Sequence, residues 1–225
     1  FKLFIIEDCA EALGGLYKKR LIGREGDAST FSFYPNKLIT TGEGGMVVFK
    51  DKKTYLKAKQ LRNQGRSTSK MFWHDFAGFN FRMTNIQAAI GVAQLDRINT
   101  FLELRKKVFK IYDSLFEKQD DIILLPKNIW SQNSLWLYTI LITSLNEVKR
   151  DLLIKKLAKL GIETRPGFYP LNTMDAYKKF GKGSYPNTEK ISFISISLPS
   201  SASLKKHDIS YIYESVISEK KKLVN

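Results

Sequence analysis

The chain has 225 residues, 43% hydrophobic and 26% charged, with a formal net charge of +15. That length supports one large core or two small ones, and the longest apolar stretches, such as 135–143, are far too short to span a bilayer, so no membrane role is expected. The basic excess is mostly lysine, 28 of 37 basic residues, spread along the chain with Lys220-Lys221-Lys222 as its compact run, so nucleic-acid binding is not expected either.

A lone cysteine, Cys9, excludes an internal disulfide and fits a reducing, cytoplasmic setting. With His74 and His207 as the only histidines, it cannot build a metal site, and no metal is expected.

In chain order, Leu3-Phe4-Ile5-Ile6 is a continuous apolar run that predicts a short buried strand. Glu7 and Asp8 follow at its carboxyl end, where open α/β sheets bind ligands. Taken alone, Asp8 is better read as the cap of a helix over 9–13, and only its pairing with Lys37 favours a ligand role. Ser29 to Phe33 predicts a second strand, broken at Pro35, and Met46 to Phe49 a third. Between them Lys37 stands on a turn that runs through Thr40-Thr41-Gly42-Glu43-Gly44-Gly45. The glycines permit positive φ and close approach of a ligand to the backbone, while Ser32, Thr40 and Thr41 offer hydroxyls for an anion. A lysine so placed suits carbonyl capture. Paired with a carboxylate at a neighbouring strand end, it is what a pyridoxal phosphate enzyme needs, because the carboxylate keeps the cofactor ring nitrogen protonated.

Thr54 to Asn63 predicts a helix, followed by a polar loop, Gln64 to Lys70, with the character of an active-site flap. Trp73, His74 and Phe76 come next, suited either to lining a sugar pocket or to packing against a partner subunit. Thr84-Asn85-Ile86-Gln87 has capping-box spacing and opens a long helix with an apolar stripe, Ile86, Ala89, Ile90, Ala93, Ile98, Phe101 and Leu102, which core packing explains. That helix is expected to continue to Tyr112, with a kink near Asn99. Beyond it lie strands over 135–143, 162–165 and 192–198, a helix over 150–160 ended by Gly161, and a terminal helix over 208–218. The pattern divides the chain into residues 1–118, part of a large α/β domain with a mostly parallel sheet, and 119–225, a small α+β domain.

Glu7-Asp8-Cys9-Ala10-Glu11-Ala12-Leu13-Gly14, the Phe31-Ser32-Phe33 to Lys37 segment, Thr40 to Gly45, and Gly78-Phe79-Asn80-Phe81-Arg82-Met83-Thr84 resemble the DegT/DnrJ/EryC1/StrS family of sugar aminotransferases. The resemblance runs from Leu3 to Leu198-Pro199 and implies a fold-type I pyridoxal phosphate enzyme. Its implied substrates are a nucleotide-linked 4-keto-6-deoxysugar and an amino acid donor, glutamate. Lys37 is implied to carry the cofactor, Asp8 to partner its ring nitrogen and Ser32 to bind its phosphate. Glu11 is implied to lie near the ring face or substrate. Asn80 is implied to reach the cofactor phosphate of a neighbouring subunit, which makes the expected assembly a homodimer with shared active sites. Trp73, His74 and Arg165 are implied substrate contacts, Arg165 as a donor to the diphosphate. Asn172 departs from the pattern, since many relatives have His there.

Family members carry a glycine-rich phosphate-cradling loop ahead of the first strand, and none precedes it here, so the chain is expected to be the C-terminal part of a longer enzyme. Two other classes remain open. One is a sugar dehydratase of the same fold, against which Lys37 counts because deoxygenating relatives replace it with histidine. The other is a non-catalytic binding module.

Overall fold

Ile6–Asp8 (β1), Ala28–Ser32 (β4) and Gly45–Phe49 (β5) form a three-stranded sheet in the order β1-β4-β5. The computed structural model describes residues 2–181 and 183–224. β1 runs parallel to β4 with Asp8 opposite Thr30, and β4 runs antiparallel to β5 with Ser32 opposite Gly45. The first strand lies later than the apolar run implies. Ile5 donates its N–H to the Asp27 carboxylate at 2.8 Å, and its carbonyl accepts from Asp27 at 2.7 Å, so regular pairing starts only at Ile6. Leu3, Phe4, Ile5 and Ile6 are exposed rather than buried.

Glu7 faces the loop before β4. Its carboxylate accepts N–H bonds from Gly23, Glu25 and Gly26 at 2.9, 2.8 and 2.6 Å. The bond from Gly26, followed by opposing desolvation and the other two bonds, leaves its pKa below the ordinary value. A second small sheet pairs Leu16–Tyr17 (β2) with Arg20–Leu21 (β3) and with Ser131–Gln132 (β7).

Lys52–Arg62 (α1) starts on Asp51, whose side chain accepts from the Thr54 N–H at 2.6 Å. The long helix expected from Thr84 is two helices, Asn85–Leu95 (α2) and Ile98–Phe116 (α3), with Asp96 and Arg97 between them. The capping box forms, Thr84 and Gln87 exchanging both bonds. The core assignment of the stripe fails in α2, where no residue is buried and Ile86, Ile90, Val92 and Leu95 are all exposed. Its small residue Gly91 instead makes room for the lysine loop, since a Cβ there would lie 2.9 Å from Thr41 Cγ2.

Two compact units result, Phe1–Leu102 with Lys127–Trp136, and Glu103–Pro126 with Leu137–Asn225. The sequence pattern placed a single division after residue 118, whereas the units change over at Glu103 and the segment Lys127–Trp136 belongs with the first.

In the second unit Ile122–Ile123 (β6), Tyr138–Ile142 (β8), Ser195–Leu198 (β10) and Arg165–Pro166 (β9) form an antiparallel sheet in the order β6-β8-β10-β9. Glu147–Lys159 (α4), Pro186–Ile194 (α5) and Lys206–Val224 (α6) complete it. The strand expected from Ser192 begins only at Ser195, because Pro186 sits at the first turn of a helix that runs through Ile194. Tyr112, Phe116, Tyr138, Ile140, Leu153, Leu157, Ile196, Ile209 and Val216 fill the core, with Tyr112 stacked on Tyr138 at 4.6 Å. Arg150 is fully buried there; its guanidinium donates to the Ser192 carbonyl at 2.8 Å and to the Asp151 carboxylate at 2.6 Å.

Candidate active site

Asp8 is the last residue of β1, and its Oδ1 accepts from Thr30 Oγ1 at 3.2 Å and from the Ala10 N–H at 3.1 Å. Residues 10–14 make turns rather than a helix, so Asp8 closes a turn and caps nothing. Both bonds use Oδ1, which leaves Oδ2 for a ligand. Strand side chains alternate with period two, so Ser32 projects from the face of β4 that carries Thr30. Ser32 Oγ accepts from the Tyr34 N–H at 3.3 Å, and its own hydroxyl proton stays available. Cys9, next along, is fully buried. Burial, then the Glu7 and Asp8 carboxylates, push its thiol pKa up, which fits packing and not nucleophilic attack.

Lys37 rides on a loop whose backbone is closed at both ends. The Phe33 carbonyl accepts from the Thr41 N–H at 3.0 Å and from Thr40 Oγ1 at 2.8 Å, while the Phe33 N–H donates to Gly44 at 2.9 Å. Gly44 has φ +145°, and a Cβ there would meet Thr41 Oγ1 at 2.6 Å, so this turn needs glycine. Helix α2 grips the loop from outside. The Gln94 amide donates to the Thr40 carbonyl at 2.5 Å and accepts from the Thr40 N–H at 3.2 Å, and Gln87 Nε2 donates to the Glu43 carbonyl at 3.2 Å.

The Lys37 side chain is only 11% exposed. Its Nζ lies 3.3 Å from Glu11 Oε1 and 3.7 Å from the centroid of the Trp136 ring. With Glu11 half exposed, the ion pair is worth at most about 1 kcal/mol, and the ring contact is of the same order, about 1–2 kcal/mol. Trp136 is fixed by its indole N–H, which donates to the Asn36 carbonyl at 3.0 Å, and Ser134 Oγ bonds the Glu11 carbonyl. Segment Lys127–Trp136 thus walls the lysine. Nothing local in the sequence marks Trp136, because its partners stand far from it along the chain; the indole N–H needing a partner was the one available cue.

Asn80 pairs in an isolated bridge with Asn63 at the end of α1 and is exposed. Trp73 and His74 lie on a finger of chain, residues 64–76, where Arg66 bridges His74. His74 Nδ1–H donates to the Gln64 carbonyl at 2.8 Å, so one ring nitrogen serves to close the finger and Nε2 is left over. Arg165, in the second unit, donates to Glu163 at 3.1 Å with both side chains largely exposed. Asn172 sits in a short 3-10 helix, Leu171–Thr173. Of the residues singled out in the sequence, the structure brings Lys37 to Glu11, and sets Asp8 on β1 and Ser32 on β4 on one face of the sheet. Among the described residues no group of three or more His, Cys, Asp or Glu side chains could hold a metal, and no helix is long and apolar enough to cross a membrane.

The donor set fits pyridoxal phosphate. A shielded primary amine, a carboxylate with one oxygen left over, and hydroxyls at a strand end match its aldehyde, its ring nitrogen and its phosphate.

Comparison with known proteins agrees. The pattern of the DegT/DnrJ/EryC1/StrS aminotransferase family matches residues 1–217. The GDP-perosamine synthase of Escherichia coli O157:H7 is 42% identical over 215 residues, 95% of this chain and 57% of that protein. The GDP-perosamine synthase of Caulobacter vibrioides is 38% identical over 92% of this chain and 56% of its own length. Among solved structures, Spr1654 of Streptococcus pneumoniae in its PLP form superposes with a TM-score of 0.90 at 30% identity, covering 98% of this chain and 58% of that one. Helicobacter pylori PseC, an aminotransferase of pseudoaminic acid biosynthesis, gives 0.88 at 29% identity, covering 96% and 59%. The chain therefore spans a little over half the length of these four proteins. The fold-type I α/β class expected from the sequence is that of these neighbours, and, with the match running over nearly its whole length, the chain belongs to the DegT/DnrJ/EryC1/StrS aminotransferase family.

Proposed function

We propose that the intact protein is a pyridoxal phosphate-dependent transaminase of a nucleotide-linked 4-keto-6-deoxysugar, with GDP-4-keto-6-deoxymannose as acceptor, GDP-perosamine as product and glutamate as donor. The observation that carries the reading is the shielded amine of Lys37 on a clamped loop that follows β4, the strand whose Thr30 hydroxyl bonds Asp8. The identity to two GDP-perosamine synthases supports the choice of sugar nucleotide. When bound, the cofactor supplies an aldehyde that captures amines and a ring that takes up electron density. Lys37 holds it through Nζ and, once released, serves as the base whose Nζ takes up one proton and returns it. Asp8 Oδ2 accepts the ring N–H and, as an anion, keeps that proton in place. The Ser32 hydroxyl donates to the phosphate. Glu11 and Trp136 give the freed ammonium of Lys37 a place to rest.

The assembly is a homodimer with shared sites. Exposed apolar side chains on α2 and β5 and the exposed Asn80 support it; a second copy covers the former and receives the latter at its cofactor phosphate. Arg165 contacts the substrate diphosphate.

The test is incubation of the intact protein with glutamate and GDP-4-keto-6-deoxymannose, with borohydride trapping in parallel. A 4-amino sugar nucleotide and a label on Lys37 are expected, and Lys37→Ala abolishes both. A label on another lysine refutes the site, and no amino sugar from this or a related ketosugar refutes the function.

A further inference from the structure

The small sheet of β2, β3 and β7 carries a surface that the lysine site does not use. Two stretches of sequence without any Asp or Glu, 12–24 and 122–146, meet in it, and they bring Lys18, Lys19, Arg20, Arg24 and Lys127. β2 and β3 are joined by a two-residue turn in which Lys18 and Lys19 have φ of +47° and +66°. Such a turn favours Asn-Gly, since most side chains resist left-handed backbone. Two lysines stand there instead. Both are exposed, and among the described residues neither has a carboxylate within ion-pair distance. Arg20, by contrast, is held by Glu25 at 3.0 Å.

An apolar cluster adjoins these lysines. The Lys18 N–H donates to the Trp130 carbonyl at 2.7 Å and Tyr17 pairs with Ser131, which pins residues 130–131 against the hairpin. The Tyr17 and Trp130 rings meet edge to face at 5.9 Å, and Lys18 Nζ lies 5.4 Å from the Tyr17 ring centroid. Trp130 is 51% exposed and its neighbour Ile129 wholly so. All of these residues belong to the first unit. An isoleucine and an indole thus project beside two cations that nothing acidic neutralises.

We propose that this tip docks the intact protein on an anionic lipid surface, with Ile129 and Trp130 entering the headgroup region and Lys18 and Lys19 on the lipid phosphates. The short apolar runs of the sequence argue against crossing a bilayer, and lying against one needs no span. Tryptophan suits the boundary between an apolar and a wet medium. A lysine stem lies along apolar surface while its ammonium reaches an anion, and each such charge strengthens binding to an anionic leaflet about five-fold. Entry of an apolar side chain adds about ten-fold or more. A protein partner would need a fitted pocket for the isoleucine. A bilayer takes a projecting apolar side chain of any shape, and its negative charge complements the two free lysines.

The test is co-sedimentation of the intact protein with vesicles of phosphatidylcholine alone or mixed equally with phosphatidylglycerol. Binding is expected to the mixed vesicles only, and to weaken as salt is raised. Lys18→Asn with Lys19→Gly removes both charges while giving the turn the residues it favours, so a loss of at least about ten-fold in that variant cannot come from a broken hairpin. Ile129→Ser with Trp130→Ser should lose about ten-fold or more. A matched loss of charge on α1, Lys52→Gln with Lys53→Gln, should stay within about two-fold, which separates the tip from the general field of a basic protein. Unfolding temperatures of all variants are checked. Tryptophan emission should shift to the blue on mixed vesicles, and Trp130→Phe should keep binding but lose the shift. The proposal is overturned if the intact protein ignores mixed vesicles, if either tip variant binds as wild type does, or if the Lys52/Lys53 pair loses as much as the Lys18/Lys19 pair. Binding to soluble polyglutamate that the Lys18/Lys19 variant loses, with no vesicle bound, would assign the tip to an acidic protein and equally overturn it.

Discussion

Gln94 is the residue whose replacement best tests how the lysine loop is held. Its side-chain amide pairs with Thr40 as a backbone would, donating to the carbonyl at 2.5 Å and accepting from the N–H at 3.2 Å. Thr40 stands three residues after Lys37. Each bond is worth about 1 kcal/mol net, so Gln94→Ala should cost the loop about 2 kcal/mol and raise its opening about 30-fold. Gln94→Glu is the sharper change. It has nearly the same shape and still accepts from the Thr40 N–H, but it turns a carboxylate oxygen toward the Thr40 carbonyl, adding repulsion to the lost bond. It should therefore loosen the loop at least as much as alanine does. Hydrogen exchange on the intact protein reads this directly at the amides of Thr40 and Thr41, which should lose protection in both variants while α4 amides do not. Turnover should fall with it, because a mobile loop misplaces the amine. If Gln94→Glu keeps wild-type protection at Thr40 and Thr41, the clamp is not what holds Lys37 in place.

Glu7→Gln should destabilise the protein by about 1–2 kcal/mol, because an amide oxygen cannot accept all three N–H bonds of the 23–26 loop. The lowered folded-state pKa of Glu7 means that its stabilisation is complete above its unfolded value of 4.5 and is lost as pH falls through the folded value; acid unfolding should show that loss, and the Gln variant should lack it. Asp121 is raised by burial but held low on balance by Lys220, whose Nζ lies 2.5 Å away, and by Ser144. Lys220 is the more buried partner, so Asp121→Ala, which strands it, should cost more in urea unfolding than Lys220→Met, by about 1–2 kcal/mol. Gly65→Ala should distort the finger, since its Cβ would strike the Phe76 carbonyl at 1.9 Å and φ is +65°; exchange should rise at Ser67 and Asp75, and protection equal to wild type would refute the tight crossing.

The local parts of this molecule were legible in the sequence. Thr84 and Gln87 announced a helix start by spacing alone, and the glycines after Thr41 announced the turn that follows Lys37. Asp8 was legible as a carboxylate at a strand end, but its bond to Thr30 depends on strand register, which no short window contains. The long-range parts were not legible. Gln94 meets Thr40 and Trp136 meets Lys37 only after the chain has folded back on itself, and neither residue type in its own context marks such a role. The stripe on α2 misled because periodicity reports an apolar face without saying what covers it. The strand expected at Ser192 misled for a related reason, since alternating serine and isoleucine fit the last turn of α5 as well as they fit β10.

The path of the backbone between the two units has a consequence for dissecting the protein. The chain leaves the first unit at Glu103, returns for Lys127–Trp136, and leaves again. No single cut separates the two halves intact. A truncation after residue 118 would remove β7, and with it the strand that pairs β2, together with the indole that faces Lys37. Limited proteolysis that releases a working first unit would have to spare that ten-residue tether. Gene fusions and recombination are bound by the same rule, because a lysine loop grafted without residues 127–136 arrives missing one of its walls.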